Sequence, residues 1–269
     1  MKFTDYKYER PNIEMVLLEF KKLIEGFQKS QSSEEQDKII IKINTLRNEV
    51  ESMIELVNIR NSINTEDSLY EKEKALWMRI YYIRRIIAKY YKVLVNSKFK
   101  NELEDKWGKQ LFILAEMKLK TFEDGILEEL KEENKLITEY EKLKASARIV
   151  FEGEERNLAQ LEPFIQSKYR EMRKRAYEAS TNFYAENEEK FDNIFDKLVK
   201  VRHKIAKKLG YNNFVELAYV RMMRSDYDSN MVKNYRNAVE KYIVPLAESL
   251  KLRQKQRLGL KTLKYYDEP

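Results

Sequence analysis

Apolar residues recur every three or four positions through most of this chain, the period of a helix with one buried face. The first such segment spans about Ile13 to Phe27, where Asn12 supplies an N-cap and Gly26 a stop. A polar turn over Ser30 to Ser33 leads into a helix reaching about Asn61. Its apolar positions Ile39, Ile43, Leu46, Val50, Ile54 and Val57 step by three and four, and Ser32 or Ser33 caps it with Glu35 and Gln36 as capping-box partners. After a polar break over Asn61 to Thr65, a helix over about Asp67 to Val95 carries Leu69, Leu76, Trp77, Ile80, Tyr81, Ile83, Ile87, Tyr90, Tyr91 and Leu94. Asn96 and Ser97 end it. The stretch from Lys98 to about Leu119 reads as helical around Gly108, Gly125 marks a turn, and Ile126 to Leu143 repeats the helical spacing.

Ala147 to Gly153 differs. β-branched and aromatic residues there precede a glycine, so Ile149 to Phe151 with the stretch around Leu158 to Leu161 reads as a short hairpin, or alternatively as a joint between helices. Pro163 opens the next helix, to about Tyr184. The clearest helix is Asn187 to Leu209, with Phe191, Ile194, Phe195, Leu198, Val201, Ile205 and Leu209 on one stripe and Gly210 as the stop. Asn213 caps another, with Glu216 as its reciprocal partner. Ser225 to Ser229 breaks the pattern. A last helix over Asn230 to about Arg257 places Val232, Tyr235, Val239, Tyr242, Leu246 and Leu250 on one side, kinks at Pro245 and stops at Gly259. No fixed internal period appears. The expected fold is all-α, a multi-helix elongated lobe with at most one short β-hairpin near residues 147–162.

Composition supports that reading. Six Gly and four Pro in 269 residues lie far below the roughly 7% and 5% of an average chain, too few turn residues for a sandwich, a barrel or a dinucleotide-binding sheet. No cysteine is present, so disulfides and thiolate metal sites are excluded. The start of the chain is studded with charge, and no run approaches the ~18 apolar residues of a membrane span, which points to a soluble cytoplasmic protein.

The net charge of +7 is uneven. Residues 201–269 hold 15 Lys/Arg and 7 Asp/Glu, so the first 200 residues carry a net of −1. Arg170, Arg173, Lys174 and Arg175, followed by Arg221, Arg224, Arg253, Lys255 and Arg257, interleave with tyrosines in a way that suits phosphate contact and base stacking. Interspersed acids argue against nucleic acid; a solvated basic face and a surface for acidic partners are the other readings. A coiled-coil or membrane-curving module fits poorly with 18 Tyr and 12 Phe. The single histidine, His203, lies between cations in Val201-Arg-His-Lys204, a structural or surface setting. One imidazole cannot make a two-histidine zinc helix, and no Gly-rich phosphate loop is present.

Several strings, in order, resemble the oligoendopeptidase F group of zinc peptidases, relatives of thimet oligopeptidase. They include Tyr6-Lys-Tyr-Glu-Arg-Pro11, Leu56-Val-Asn-Ile-Arg-Asn-Ser-Ile-Asn-Thr-Glu-Asp67 and Leu103-Glu-Asp-Lys-Trp-Gly-Lys-Gln-Leu-Phe112. Phe151-Glu-Gly153, Arg173-Lys-Arg-Ala176, Ala206-Lys-Lys-Leu-Gly-Tyr211, Tyr219-Val-Arg-Met-Met-Arg224 and Val244-Pro-Leu246 continue the likeness. Asn61 and Asn64 depart from it, standing where His and Asp are expected. The resemblance implies a peptidase about twice this length, in which a helical lobe walls a groove for short peptides and a zinc-activated water attacks the peptide carbonyl. The zinc helix and its further ligands belong to the half not represented here. The resemblance therefore nominates no catalytic, cofactor-binding or metal-binding residue, and implies that this chain binds no zinc and is inactive by itself. It places residues 1–145 in the helical lobe and 146–269 at the start of the catalytic domain, with the missing half as the principal partner and self-association as the outcome of its absence.

Overall fold

The computed structural model describes residues 3–79 and 81–268. After a short 3₁₀ turn the chain forms α1 (Ile13–Lys29), α2 (Ser33–Ile63), α3 (Ser68–Arg79), α4 (Tyr81–Val95), α5 (Lys100–Trp107), α6 (Lys109–Leu119) and α7 (Leu127–Ala145). A hairpin of β1 (Ile149–Phe151) and β2 (Glu154–Arg156) follows. Then come α8 (Glu162–Ile165), α9 (Arg170–Glu186), α10 (Glu188–Lys208), α11 (Phe214–Arg221), α12 (Ser229–Ala238), a π-helical turn (Val239–Ile243) and α13 (Val244–Arg257). The architecture is all-α apart from that hairpin.

The caps do what their chemistry requires. The four leading N–H groups of a helix have no partner within it, and a side-chain oxygen just before the helix satisfies one or two. Asn12 accepts from the Met15 amide, Ser32 from Glu35, and Asn213 from Val215 and Glu216. Glu35 and Glu216 return the bond one residue upstream of the cap, to the amides of Gln31 and Asn212. Gly210 adopts φ +82° and lets the Tyr211 amide reach back to Ala206, closing α10.

The helix expected over Asp67–Val95 is described over α3 and α4, with Ile80 and the Tyr81 side chain outside the described residues. Four expectations need correction. Gly26 does not close α1, which runs three residues further; the glycine sits where a Cβ would meet Ile39 Cδ1 at 3.4 Å, so it serves close helix packing. The second strand is Glu154–Arg156 rather than the Leu158–Leu161 stretch. Glu152 and Gly153, at φ 52° and 79°, turn the chain in two residues, and Leu158–Leu161 becomes a turn held by mutual Asn157 and Gln160 bonds. Pro163 opens only the four-residue α8, and the long helix starts at Arg170. Pro245 does not produce a simple kink. Its missing N–H and its ring against the Lys241 carbonyl are accommodated by one wider turn, in which the Val244 amide bonds Val239 O.

The chain divides into two units. One comprises the chain up to Asn134 together with Val201–Ser225; the other comprises Lys135–Lys200 and the chain from Asp226 on. In the first, α1, α2, α4, α5 and α6 enclose Phe20, Phe27, Ile40, Ile43, Tyr90, Leu94, Leu103 and Phe112, with Phe27 edge-on to Tyr90. Two buried polar side chains there are paired: Asp37 accepts from Lys106 and Trp107, and Gln36 bridges Phe27 O and Ser97. In the second, Phe151, Leu161, Ile165 and Ala176 pack between the hairpin, α8 and α9.

Gly108 joins α5 to α6 at φ 82°, ψ 147°, a conformation essentially restricted to glycine. A Cβ there would meet nothing within 4 Å, so the penalty of Gly108→Ala is backbone strain alone. The variant should lose about 1–3 kcal/mol in thermal unfolding, whereas Lys109→Ala, one residue on and exposed, should be neutral.

Candidate functional site

The sequence nominates no catalytic residue. His203 lies exposed on α10. Among the described residues no group of three or more His, Cys, Asp or Glu is placed to hold a metal ion. With one imidazole and no thiol in the sequence, the residues of this chain do not fit a zinc ion. Besides the buried Glu73, held by Arg10 and Tyr8, and Asp37, held by Lys106 and Trp107, the described residues offer two larger ionic assemblies and a long uncovered helical face.

The first assembly lies in the first unit. Glu129 and Glu133 stand one turn apart on α7, with 5% and 8% of their side chains exposed. Glu129 accepts from Lys204 and Lys208 of α10, each at 2.8 Å. Glu133 accepts from Arg202 at 2.8 Å, and both of its carboxylate oxygens accept from the Arg221 Nη1, at 3.1 and 3.0 Å. Arg202 and Arg221 lie against the Phe214 ring at 5.6 and 5.7 Å. The two ammonium groups hold the Glu129 carboxyl down at about 2, against the opposing cost of burial. Lys208 also reaches Gly125 O in the turn before α7. Four cations of the basic quarter are thus engaged by carboxylates of the same unit, which weakens the case for that quarter as a nucleic-acid surface.

The second assembly lies in the second unit and fixes the last described residues. The Asp267 side chain is fully buried; Arg170 grips it with Nε at 2.8 Å and Nη2 at 2.9 Å, and Arg173 reaches it at 3.4 Å. Arg173 also donates to Tyr266 O at 2.6 Å, and Arg170 covers the Tyr266 ring at 4.9 Å. Asp267 in turn accepts from the Lys264 amide. The Arg170 guanidinium is the main reason its carboxyl sits below the usual carboxylate range. From α13, Gln254 donates to Asp267 O and Lys251 pairs with Glu268.

Between Ser229 and Arg257, by contrast, no residue is buried. Met231, Tyr235, Tyr242, Leu246 and Leu250 follow one another at helical steps, and the last four are 71%, 63%, 55% and 53% exposed. The residues with partial cover, Val232, Val239, Ala247, Gln254 and Lys255, are other than these. A soluble helix of this composition ordinarily turns its tyrosines and leucines onto a partner. Periodicity in the sequence puts Val232 and Val239 on one side with Tyr235, Tyr242, Leu246 and Leu250; the structure instead gives the two valines partial cover and leaves the other four exposed. Nothing local in the sequence pairs Glu129 with Lys204 and Lys208, or Glu133 with Arg202 and Arg221, because the partners lie on α10 and α11, far along the chain.

Two family models match in order: the Peptidase M3 N-terminal domain over residues 3–122 and Peptidase family M3 over residues 164–269. Among solved structures, PZ peptidase A, determined with an inhibitor, is 51% identical, with a TM-score of 0.95 over 99% of this chain and 48% of that one. A protein described as oligoendopeptidase F from Bacillus anthracis str. Ames is 49% identical, with a TM-score of 0.94 over 100% of this chain and 49% of that one. Oligoendopeptidase-F from Enterococcus faecium, at 14% identity, a TM-score of 0.61 and cover of 95% of this chain and 55% of that one, shares the fold. No curated protein matches. The chain spans about half the length of the solved structures it matches.

Proposed function

The chain belongs to the M3 peptidase family, and from that premise we propose that it supplies the helical half of an oligoendopeptidase F-like metallopeptidase acting on short peptides. The observation that carries this reading is the ordered pair of family matches over 3–122 and 164–269, reinforced by 51% and 49% identity to two solved relatives over 48% and 49% of their length. In the proposal, residues up to about 145 belong to the helical lobe and residues from about 146 to the beginning of the catalytic domain; this boundary falls between the two matched stretches. Zinc and the general base come from the other half, since the donors present here do not fit the ion. The reading also accounts for the long uncovered stripe on α12 and α13, which a self-sufficient module has no reason to carry.

The expected result is absence of turnover by this chain alone. The purified protein, with zinc and a quenched fluorescent peptide, should give no hydrolysis above buffer. Chelator-sensitive cleavage that follows the protein through size exclusion and persists in independent preparations sinks the claim of inactivity.

A further inference from the structure

Resting on the reading above, we propose that the face formed by Tyr235, Tyr242, Leu246 and Leu250 is the docking surface for the second half of an M3 peptidase fold, an apolar surface with a carboxylate-bearing rim. Three observations select that occupant. The stripe is long: it spans α12, the π turn and α13 without one buried residue, so its cover must be an extended surface and not a single side chain. The solved relatives carry about as much chain again as they share with this one. The charge rules against a second copy. Residues 229–257 hold seven Lys/Arg against Glu240 and Glu248, so pairing two such faces brings like charges together, while a partner with acids at its rim gains from the same lysines and arginines.

The far end of the arm is tied down separately, by Gln254 and Lys251 on the terminal segment that Arg170 and Arg173 hold. The docking face is therefore presented by a helix anchored at its end and bare along its length.

The test joins this chain in frame to the remainder of PZ peptidase A, the part lying beyond the 48% that it matches, and follows amide hydrogen exchange of residues 229–257. Exchange there should slow at least about 30-fold relative to this chain alone, the factor expected when the central anchors of an interface are covered. Leu246→Glu with Leu250→Glu should return it to the unjoined rate. Both leucines are more than half exposed, so the doubly substituted chain alone should keep its circular dichroism and melting temperature. Val150→Glu, on the exposed face of β1, should leave the slowing intact. An arm that exchanges in the fusion as it does alone overturns the proposal, whatever the rest of the fusion does. Slowing that survives the double substitution overturns it too. Concentration-dependent slowing in this chain alone assigns the face to a second copy and also overturns it. None of these outcomes touches the reading of the chain as an inactive half, which fails on hydrolysis by the chain alone.

Discussion

Asp267→Ala should release the end of the chain from α9, with a loss of about 2–3 kcal/mol in the opening of that segment. Removing one partner of a buried ion pair is ordinarily a loss of about 3–5 kcal/mol, because it strands the other charge. The lower figure applies because Arg170 is 36% exposed and can turn to water, and Arg173 keeps its bonds to Ser167 O, Lys168 O and Tyr266 O. Asp267 also accepts from the Lys264 amide and holds the 3₁₀ turn Tyr265–Asp267 together, so its loss loosens Tyr265 from Tyr177 as well. Exchange of the amides of Asp267 and Glu268 should rise about 30- to 150-fold, since each 1.4 kcal/mol is a factor of ten. Gln254 and Lys251 should lose their anchor in the same variant. Asp267→Asn keeps the shape and one acceptor and should fall between. Acid should act in the same direction. A carboxyl with a depressed folded pKa contributes stability above its unfolded value, and the contribution disappears as pH falls through the folded one. Unchanged exchange in Asp267→Ala would show that Arg170 and Asp267 merely touch.

How much of this was legible beforehand differs by element. Where chemistry is local, the sequence was a good guide: the caps Asn12, Ser32 and Asn213 and the Gly210 stop depend on residues within one turn of one another. Gly26 misled because glycine also serves close helix approach, which depends on Ile39 of another helix. The second strand was missed because Glu154-Glu-Arg156 has none of the usual strand composition; its pairing is imposed by the two positive-φ turn residues before it. The stripe on α12 and α13 shows a further limit. Hydrophobic period identifies a face but not what covers it, and Phe195, on the clearest stripe of the chain, is 69% exposed for the same reason. The ionic assemblies were not legible, because they join residues about 70 to 97 positions apart.

Replacing both Glu129 and Glu133 by Gln should be the most destabilising polar change in the first unit, about 4 kcal/mol together. Neither loss is a simple surface ion pair. Each carboxylate is over nine-tenths buried and receives two cationic side chains, so neutralising both leaves Arg202, Lys204, Lys208 and Arg221 without the counter-charges they meet on α7. The lysines are 64% and 41% exposed and will hydrate, so Glu129→Gln alone should be near 1–2 kcal/mol. Arg202 and Arg221 are held between Glu133 and the Phe214 ring and have less room to move, so Glu133→Gln should be larger. The two sites are one turn apart and share the packing of α10 against α7, and their effects should not add. The pH dependence separates Glu129 from the rest. Its folded carboxyl ionises at about 2 against an ordinary 4.5. Its stabilisation is therefore complete above about pH 4.5 and drains away as pH falls toward 2, on the order of 2 kcal/mol once the exposed lysines are allowed for. Asp37, Glu73 and Asp267 are depressed as well, so the wild-type curve alone cannot isolate it. The informative quantity is the difference between wild type and Glu129→Gln in urea unfolding at pH 7, 4 and 2. That difference should be nearly constant down to pH 4.5 and close at pH 2, because protonation then makes the wild type resemble the variant. A gap that persists unchanged at pH 2 would mean that the Glu129 side chain stabilises α7 by shape and not by its charge.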